Sequence, residues 1–387
     1  MGQIRVAVVG AGFIGPVHVE ALRRLGIEVS GILGADAAES QLAKEKLNLP
    51  KAYRSFDQVL GDGAVQSVHL AVPNRLHCEM AKRALEAGKH VMCEKPLAMN
   101  SRESAELVAL ARKSGRAAGV NHNGRYYPLC IEVADMYRRG DLGEVYSACG
   151  SYVQDWLFYP TDYNWRVLAE EGGELRAISD IGTHWLDLMY AVAGLEVESL
   201  CADLKVVHGE RRRPRGEVQT FKGNAEQTVE TEPIRISTED HGSVLLRFRG
   251  GARGLLWVSQ VTAGRKDCLR FEIAGSKCAV SWDSEEANEL WIGHRDRSNE
   301  SLLRDPALLS HAARRFANYP GGHIEGFPDS FKQCFRSFYD YIQAGDFSAP
   351  PTYPTFVDGH RQIVLCEAIL KSYRENCWVE LRGDRAR

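Results

Sequence analysis

No apolar run in the chain approaches the ~20 residues that span a bilayer, so nothing in it reads as a transmembrane helix. The first strand begins within a few residues of Met1 and no signal-peptide layout precedes it, which sets the expectation of a cytoplasmic protein. Met1-Gly2 offers a start for myristoylation, but Val6 stands where Ser or Thr is wanted. An excess of charge is missing too. A net charge of −3 over 387 residues gives no broad field for nucleic acid or an anionic membrane. The ten cysteines include no C-x-x-C pair and no Cys/His cluster, which argues against a structural zinc site. They read as small buried hydrophobes in a reducing compartment. Internal repeats and low-complexity tracts are absent. What remains is a globular composition, 44% hydrophobic and 26% charged, at a length that asks for two domains.

What is present starts with glycine in a particular setting. The run Ile4 to Val9 reads as a strand buried on both faces, and Gly10-Ala-Gly12-Phe13-Ile14-Gly15 follows it directly. Ile14, Val17, Ala21, Leu22 and Leu25 then recur at helical spacing, with Pro16 tolerated in the first turn. In a strand–turn–helix unit Gly10 makes the tight turn, Gly12 lets backbone approach a pyrophosphate, and Gly15 lets the helix pack on the strand. The helix N-terminus offers N–H groups and a positive dipole end to the phosphates. Such a glycine motif alone is a weak signal; the flanking strand and helix strengthen it.

Strands are expected at 27–33, 67–72, 89–93 and 117–121, with helices at 37–47, 77–87 and 101–114 between them. That alternation predicts a doubly wound parallel sheet, an α/β Rossmann domain over residues 1–124. The dinucleotide pattern wants an acid at the end of the second strand for the ribose 2′-OH. The sequence gives Ile32-Leu33-Gly34-Ala35-Asp36, and Asp36 comes late enough to read as a helix N-cap. No Arg or Lys stands nearby to pair with a 2′-phosphate. The cofactor is therefore NAD or NADP, with NAD slightly favoured. Gly10, Pro73-Asn74, Glu94-Lys95-Pro96 and Asn121-His122 all fall at strand ends and should ring one crevice.

From about Gly124 the pattern changes. Strands are expected at 145–154, 200–207, 243–248, 254–260, 269–273 and 278–282, with turns at Gly250-Gly251 and Gly275-Ser276. Helices are expected at 131–139, 180–193, 329–344 and 356–374. Residues 125–387 thus read as an α+β domain with a large, mainly antiparallel open sheet. Arg211-Arg-Arg-Pro-Arg215, inside a polar stretch, reads as an exposed loop rather than a nucleic-acid patch.

Two further stretches carry chemistry. Lys95, at a strand end in the crevice, can hydrogen-bond a substrate hydroxyl and help relay its proton, and Pro96 suits a cis turn. In Asp180-Ile-Gly-Thr-His184-Trp-Leu-Asp187, positions i and i+4 share a helix face. Asp180 and His184 project together, while Ile181, Trp185, Leu188 and Met189 face the core. A carboxylate beside an imidazole is what general-base catalysis needs.

The glycine loop, Glu94-Lys95-Pro96 and Asp180-x-x-x-His184, in this order, resemble the Gfo/Idh/MocA oxidoreductase family. So do Val72-Pro73-Asn74 with His77, Asn121-His122-Asn123-Gly-Arg125-Tyr126-Tyr127, and Ser243-Val-Leu-Leu-Arg-Phe with Gly251-Ala-Arg-Gly. The resemblance implies hydride transfer between NAD(P) and a sugar or cyclitol hydroxyl, and dimers or tetramers built through the second sheet. It assigns Lys95, Asp180 and His184 to catalysis. A narrower resemblance, to bacterial members of the levoglucosan dehydrogenase type, rests on Tyr152-Val-Gln154-Asp155-Trp156-Leu157, Asp162-Tyr-Asn164-Trp165-Arg166 and Gly321-Gly-His323-Ile-Glu-Gly326-Phe327. The expected cofactor contacts are Gly10, Gly12, Phe13, Ile14, Gly15, Pro73, Asn74, His77, Glu94, Lys95 and Asn121. The expected substrate contacts are Lys95, His122, Arg125, Tyr126, Gln154, Trp165, Arg166, Asp180, His184 and His323, and no metal is expected. The function this implies is a sugar, anhydrosugar or cyclitol dehydrogenase. Its rivals on the same fold are an NAD-dependent glycosidase and a nucleotide-sensing regulator without turnover.

Overall fold

A computed structural model describes residues 4–215 and 230–381. The run Val6–Val9 is buried on both faces and forms the middle of a parallel sheet, as a continuous apolar strand should. That sheet comprises β1 (Arg5–Val9), β2 (Glu28–Leu33), β3 (Lys51–Ala52), β4 (Ser67–Leu70), β5 (His90–Cys93) and β6 (Ala118–Val120). Its order is β3-β2-β1-β4-β5-β6, and every pair is parallel. The helices between are α1 (Ile14–Arg24), α2 (Ala37–Lys46), α3 (Phe56–Gly61), α4 (Asn74–Glu86) and α5 (Ser101–Ser114). The strand order reverses between β1 and β4, which opens a crevice beyond their carboxyl ends. β3 and α3 are unexpected, because elements of two and six residues carry too little periodicity. α4 begins directly after Pro73, three residues ahead of the expected start at 77.

The second half holds α6 (Pro128–Arg139), β7 (Val145–Val153), α7 (Ala169–Gly172), α8 (Thr183–Ala193) and β8 (Val197–Lys205). A two-stranded ribbon, β9 (Glu210–Pro214) with β10 (Thr231–Arg235), stands apart. Then come β11 (His241–Phe248), β12 (Arg253–Ser259), β13 (Cys268–Gly275), β14 (Ala279–Asp283), β15 (Glu289–Gly293) and β16 (Glu300–Leu303). After α9 (His311–Arg314), α10 (Phe327–Ala344) and α11 (Phe356–Glu375), β17 (Val379–Glu380) completes the sheet. Its nine strands run β16-β15-β14-β13-β7-β12-β11-β8-β17. All pairs are antiparallel except β7 with β12, which are parallel and bring Val153 beside Ser259. The unexpected β15 and β16 extend the sheet at one edge.

One face of this sheet is covered by α6, α8 and α11, and Trp185, Ile181, Leu188 and Met189 lie buried beneath it as their helical phase predicts. Among the described residues the other face is open, with Leu245, Leu255 and Trp291 exposed on it. The chain then crosses back to the first domain. Phe331, Phe335, Phe338 and Tyr339 of α10 share one apolar core with Val6, Val8, Leu22 and Ile32, and α11 packs on α5.

Arg211 does not belong to an exposed loop. It is fully buried, donating to the backbone oxygens of Leu157, Tyr159 and Asp162 and to Asp240 Oδ1 at 2.7 Å. A buried charge needs a counter-charge and satisfied donors, and Asp240 supplies the first. The rest of that polar stretch, 216–229, lies outside the described residues. All ten cysteines are free, but Cys149 and Cys377 are exposed rather than buried. Among the described residues no helix is long and apolar enough to cross a membrane.

Candidate active site

Gly10 turns the chain from β1 into α1 with a φ of +111°, where only glycine is unstrained. Its N–H donates to Leu33 O at 2.7 Å. A Cβ on Gly10 would lie 2.0 Å from Ala71 O, and one on Gly15 would lie 2.0 Å from Gly10 O. At Gly12 a Cβ would meet no protein atom within 4 Å, so the room there is left for something else. The N-terminus of α1 has no side-chain cap and no acid in its first turn. Backbone donors and the positive dipole end therefore face that room, which is what a pyrophosphate needs.

Past β2 no carboxylate waits at the strand end. Asp36 caps α2, accepting the Glu39 N–H at 2.8 Å, and Glu39 Oε2 turns back to the Ala35 N–H at 2.5 Å.

Beside the glycine loop lies a cavity of about 450 Å³ between the two halves of the chain. The first half contributes Phe13, Ile14, Glu94 and Lys95; the second contributes Tyr152, Gln154, Arg166, Asp180, His184 and Asp267. Lys95 follows β5 and enters a cis Lys95–Pro96 bond. Its Nζ donates to Asp180 Oδ1 at 2.8 Å and to Asp180 O at 2.6 Å. Gln260 Nε2 donates to Asp180 Oδ2 at 2.8 Å, while Arg176 Nη1 donates to Gln260 Oε1 at 2.6 Å. A guanidinium only donates and a carboxylate only accepts, so the Gln260 amide can face only one way. Burial pushes the Asp180 carboxyl up, but the charges of Lys95 and Arg166 outweigh it and hold it below its ordinary range. Asp180 is a fixed anion.

The expected pairing of Asp180 with His184 is not what forms. Residues Ile178–Gly182 make a π-helical turn, with the Thr183 N–H bonded to Ile178 O. The wider turn moves Asp180 around the axis from its α-helical i, i+4 place. Its two oxygens go to Lys95 and Gln260, and among the described residues no hydrogen bond joins it to His184. The imidazole instead meets rings, Tyr152 at 5.8 Å and His122 at 6.0 Å between centroids. Burial, then the charges of Lys95 and His122, push His184 well below its usual range. It is a neutral base at neutral pH.

Glu94 heads a buried polar chain. Its Oε1 accepts from Asn121 Nδ2 at 2.6 Å and lies 3.0 Å from His18 Nε2. His18 Nδ1 lies 2.9 Å from His69 Nδ1, and His69 Nε2 lies 2.7 Å from the Tyr339 hydroxyl. Burial works to raise the Glu94 carboxyl, yet His18, the charge of Lys95 and Asn121 together hold it at about 2.

Several residues expected to touch cofactor or substrate are held by partners within the fold. Arg125 grips Asp187 through two bonds and Asp358 through a third, a clasp between helices. The Tyr126 hydroxyl donates to Thr352 O within the α10 core. Both ring nitrogens of His77 lie against backbone, Pro96 O at 2.7 Å and Val72 O at 2.9 Å, so it ties two strand ends together. Asn74 Nδ2 donates to Gly172 O, joining α4 to the second half. Pro73 precedes the first turn of α4 without a side-chain cap, Trp165 carries the Arg166 guanidinium on its ring at 4.5 Å, and His323 is exposed on a loop. His122 is buried beside His184, its ring nitrogens without partners. Asp267, Gln260, Arg176 and His18 went unread in the sequence. Gln260 had one usable signal, its place at the end of an expected strand.

A phosphate cradle facing a lysine, a fixed carboxylate and a neutral imidazole is the equipment of an oxidoreductase built around a nicotinamide nucleotide. Residues 4–122 match the model of the oxidoreductase family with NAD-binding Rossmann fold, and residues 131–281 match the GFO/IDH/MocA C-terminal domain. The chain belongs to the Gfo/Idh/MocA family of NAD-binding oxidoreductases. It is 26% identical to levoglucosan dehydrogenase of Pseudarthrobacter phenanthrenivorans, covering 98% of this chain and 99% of that one. The solved apo form of a levoglucosan dehydrogenase superposes with a TM-score of 0.88 at 25% identity, over 99% of each chain. An inositol dehydrogenase homolog from Azotobacter vinelandii, complexed with NAD+, gives 0.85 at 25%, over 98% of this chain and 97% of that one.

Proposed function

We propose that the protein is a dehydrogenase that oxidises a secondary hydroxyl of a sugar, anhydrosugar or cyclitol. The observation that carries this reading is one cavity that holds the Lys95–Asp180 pair and neutral His184 next to the Gly12 cradle. A nicotinamide bound through that cradle supplies the acceptor for hydride from the carbinol carbon. His184, uncharged, takes the hydroxyl proton as the C–H bond breaks. Lys95 donates to the same oxygen, and Asp180, fixed by Gln260 and Arg176, holds the ammonium in place. Phe13 and Ile14 on one wall and Tyr152 on the other line the cavity with apolar surface.

The sugar and inositol in the relatives' names support a polyhydroxylated substrate, and the NAD+ of the Azotobacter complex supports NAD. The open face of the nine-stranded sheet, with Leu245, Leu255 and Trp291 exposed, supports a homodimer or homotetramer joined there. Ten free cysteines support a reducing compartment, the cytoplasm.

The test is a panel of sugars, anhydrosugars and inositols assayed for cofactor reduction with NAD and NADP in parallel. Net NADH formation is expected. Cleavage of nitrophenyl glycosides with only catalytic NAD would instead make it a glycosidase, and nucleotide binding without any turnover a sensor. His184→Ala should lower kcat by about 10²- to 10⁴-fold while leaving the Kd for NADH unchanged. Near-normal turnover would remove that residue from the mechanism.

A further inference from the structure

Asp267 is a carboxylate in the cavity to which the proton transfer gives no task. It stands at the entrance to β13 and lines the cavity with His184 and Lys95. Its Oδ1 accepts two hydrogen bonds, from the Tyr152 hydroxyl at 2.6 Å and from Gln154 Nε2 at 2.7 Å. Gln154 is held in that orientation by Trp156, whose Nε1 donates to Gln154 Oε1 at 2.9 Å. An indole only donates, so the amide nitrogen of Gln154 must face Asp267. The neighbouring cation in sequence, Lys266, is committed to Asp155 at 2.6 Å. Among the described residues nothing donates to Asp267 Oδ2, which leaves that oxygen to the cavity.

A half-buried carboxylate with one oxygen spare costs free energy unless a donor arrives. Burial already raises the Asp267 carboxyl above its ordinary range, with the bonds from Tyr152 and Gln154 opposing it. The donor that fits is a hydroxyl. Tyr152 stands between the two ends of the cavity, its ring 5.8 Å from that of His184 and its hydroxyl on Asp267. A hydroxyl has one proton to give, so the hydroxyl that loses it to His184 and the one that donates to Asp267 are separate groups on different carbons.

We propose that Asp267 Oδ2 accepts a hydrogen bond from a second substrate hydroxyl, one that is not oxidised, and that this contact selects polyols over simple secondary alcohols. The inference rests on the dehydrogenase reading of the same cavity. A hydrogen bond to a charged group contributes about 1.5–3 kcal/mol, roughly 10- to 150-fold in affinity. A site built around it rejects an analogue that lacks the hydroxyl, because the carboxylate is then left unpaired.

The experiment measures calorimetric binding of myo-inositol, D-glucose and levoglucosan to the NADH-loaded enzyme, for the wild type, Asp267→Asn, Asp267→Ala and Tyr152→Phe. Oxidation of the same compounds and of cyclohexanol is followed in parallel. The best-bound polyol should lose about 10- to 100-fold in Kd in Asp267→Asn and more in Asp267→Ala. Tyr152→Phe should lose less, and the Kd for NADH should hold in all three as the check on folding. The wild type should prefer that polyol to cyclohexanol by a margin that collapses in Asp267→Asn. Equal polyol affinity in the wild type and Asp267→Asn overturns the inference even if oxidation proceeds. Polyol binding that Asp267→Asn weakens, without oxidation by the wild type, rejects the dehydrogenase reading and upholds the contact. No polyol binding by the wild type overturns both.

Discussion

Gln260 shows how a neutral side chain can govern a charged one. It lies between a buried guanidinium and Asp180, and it passes the fixed orientation of the first to the second. Gln260→Glu would place a second carboxylate against Asp180 and raise its pKa. We expect kcat to fall at least tenfold and the acid limb of the pH–rate profile to move upward, with the Kd for NADH unchanged. An unshifted profile would reduce Gln260 to packing. His90 makes a second residue-scale prediction, this one about stability. Its Nδ1 accepts the Ala117 N–H at 3.0 Å, and burial, then Arg116, lowers its pKa from 6.5 to about 4. The unfolded chain therefore binds a proton on this ring that the folded chain refuses. Its contribution is complete above the unfolded pKa and is lost as pH falls toward the folded one. That shift corresponds to about 3 kcal/mol. Urea unfolding of the wild type and His90→Gln should show their stability gap narrowing by about that amount between about pH 7.5 and about pH 4. A constant gap would contradict it.

Elements place these residues. The uncapped α1 N-terminus faces open room at Gly12, and the end of β5 presents Lys95. The π-helical turn ahead of α8 aims Asp180 at Lys95 rather than at His184. Such a turn is invisible to helical periodicity, which assumes α spacing throughout. The Asp36 cap was legible because Asp36 and Glu39 carry the N-terminal pattern. Asp36→Ala should cost about 1 kcal/mol in chemical denaturation and leave both NAD and NADP affinities as they were. A selective loss of NAD affinity would show that Asp36 contacts ribose as well. Gln260 and Gln154 follow the paired residues Ser259 and Val153 because β12 runs parallel to β7, and that juxtaposition brings the two ends together. Hairpin signals lead one to expect antiparallel neighbours, so that meeting could not be read from the sequence.

At the scale of the whole molecule, the described residues finish the nine-stranded sheet on one face and leave the other bare. Across it Cys201, Leu245, Leu255 and Cys149 stand side by side in register. Leu245→Asp combined with Leu255→Asp should convert a dimer or tetramer to monomer by sedimentation velocity, with melting of the fold itself little changed. A wild-type monomer would show that this face has another use. The return of α10 onto the first domain ties the halves together from the far side, so the cavity between them is enclosed by chain that both domains share.

The sequence by itself determined the strand–glycine–helix unit, the alternation that makes the first sheet, the faces of α8, and the family. These depend on local spacing and on which residues tolerate a turn. Tertiary structure alone decided which polar groups meet. Arg125, Tyr126 and His77 were candidates through the family resemblance, yet each finds a partner inside the fold that the sequence provides no means of foreseeing. Asp267 came to line the cavity, and Gln260 and Arg176 stand behind Asp180 in a chain of hydrogen bonds. Hydrogen bonds between residues 80 or more apart depend on register and crossover, and periodicity carries neither.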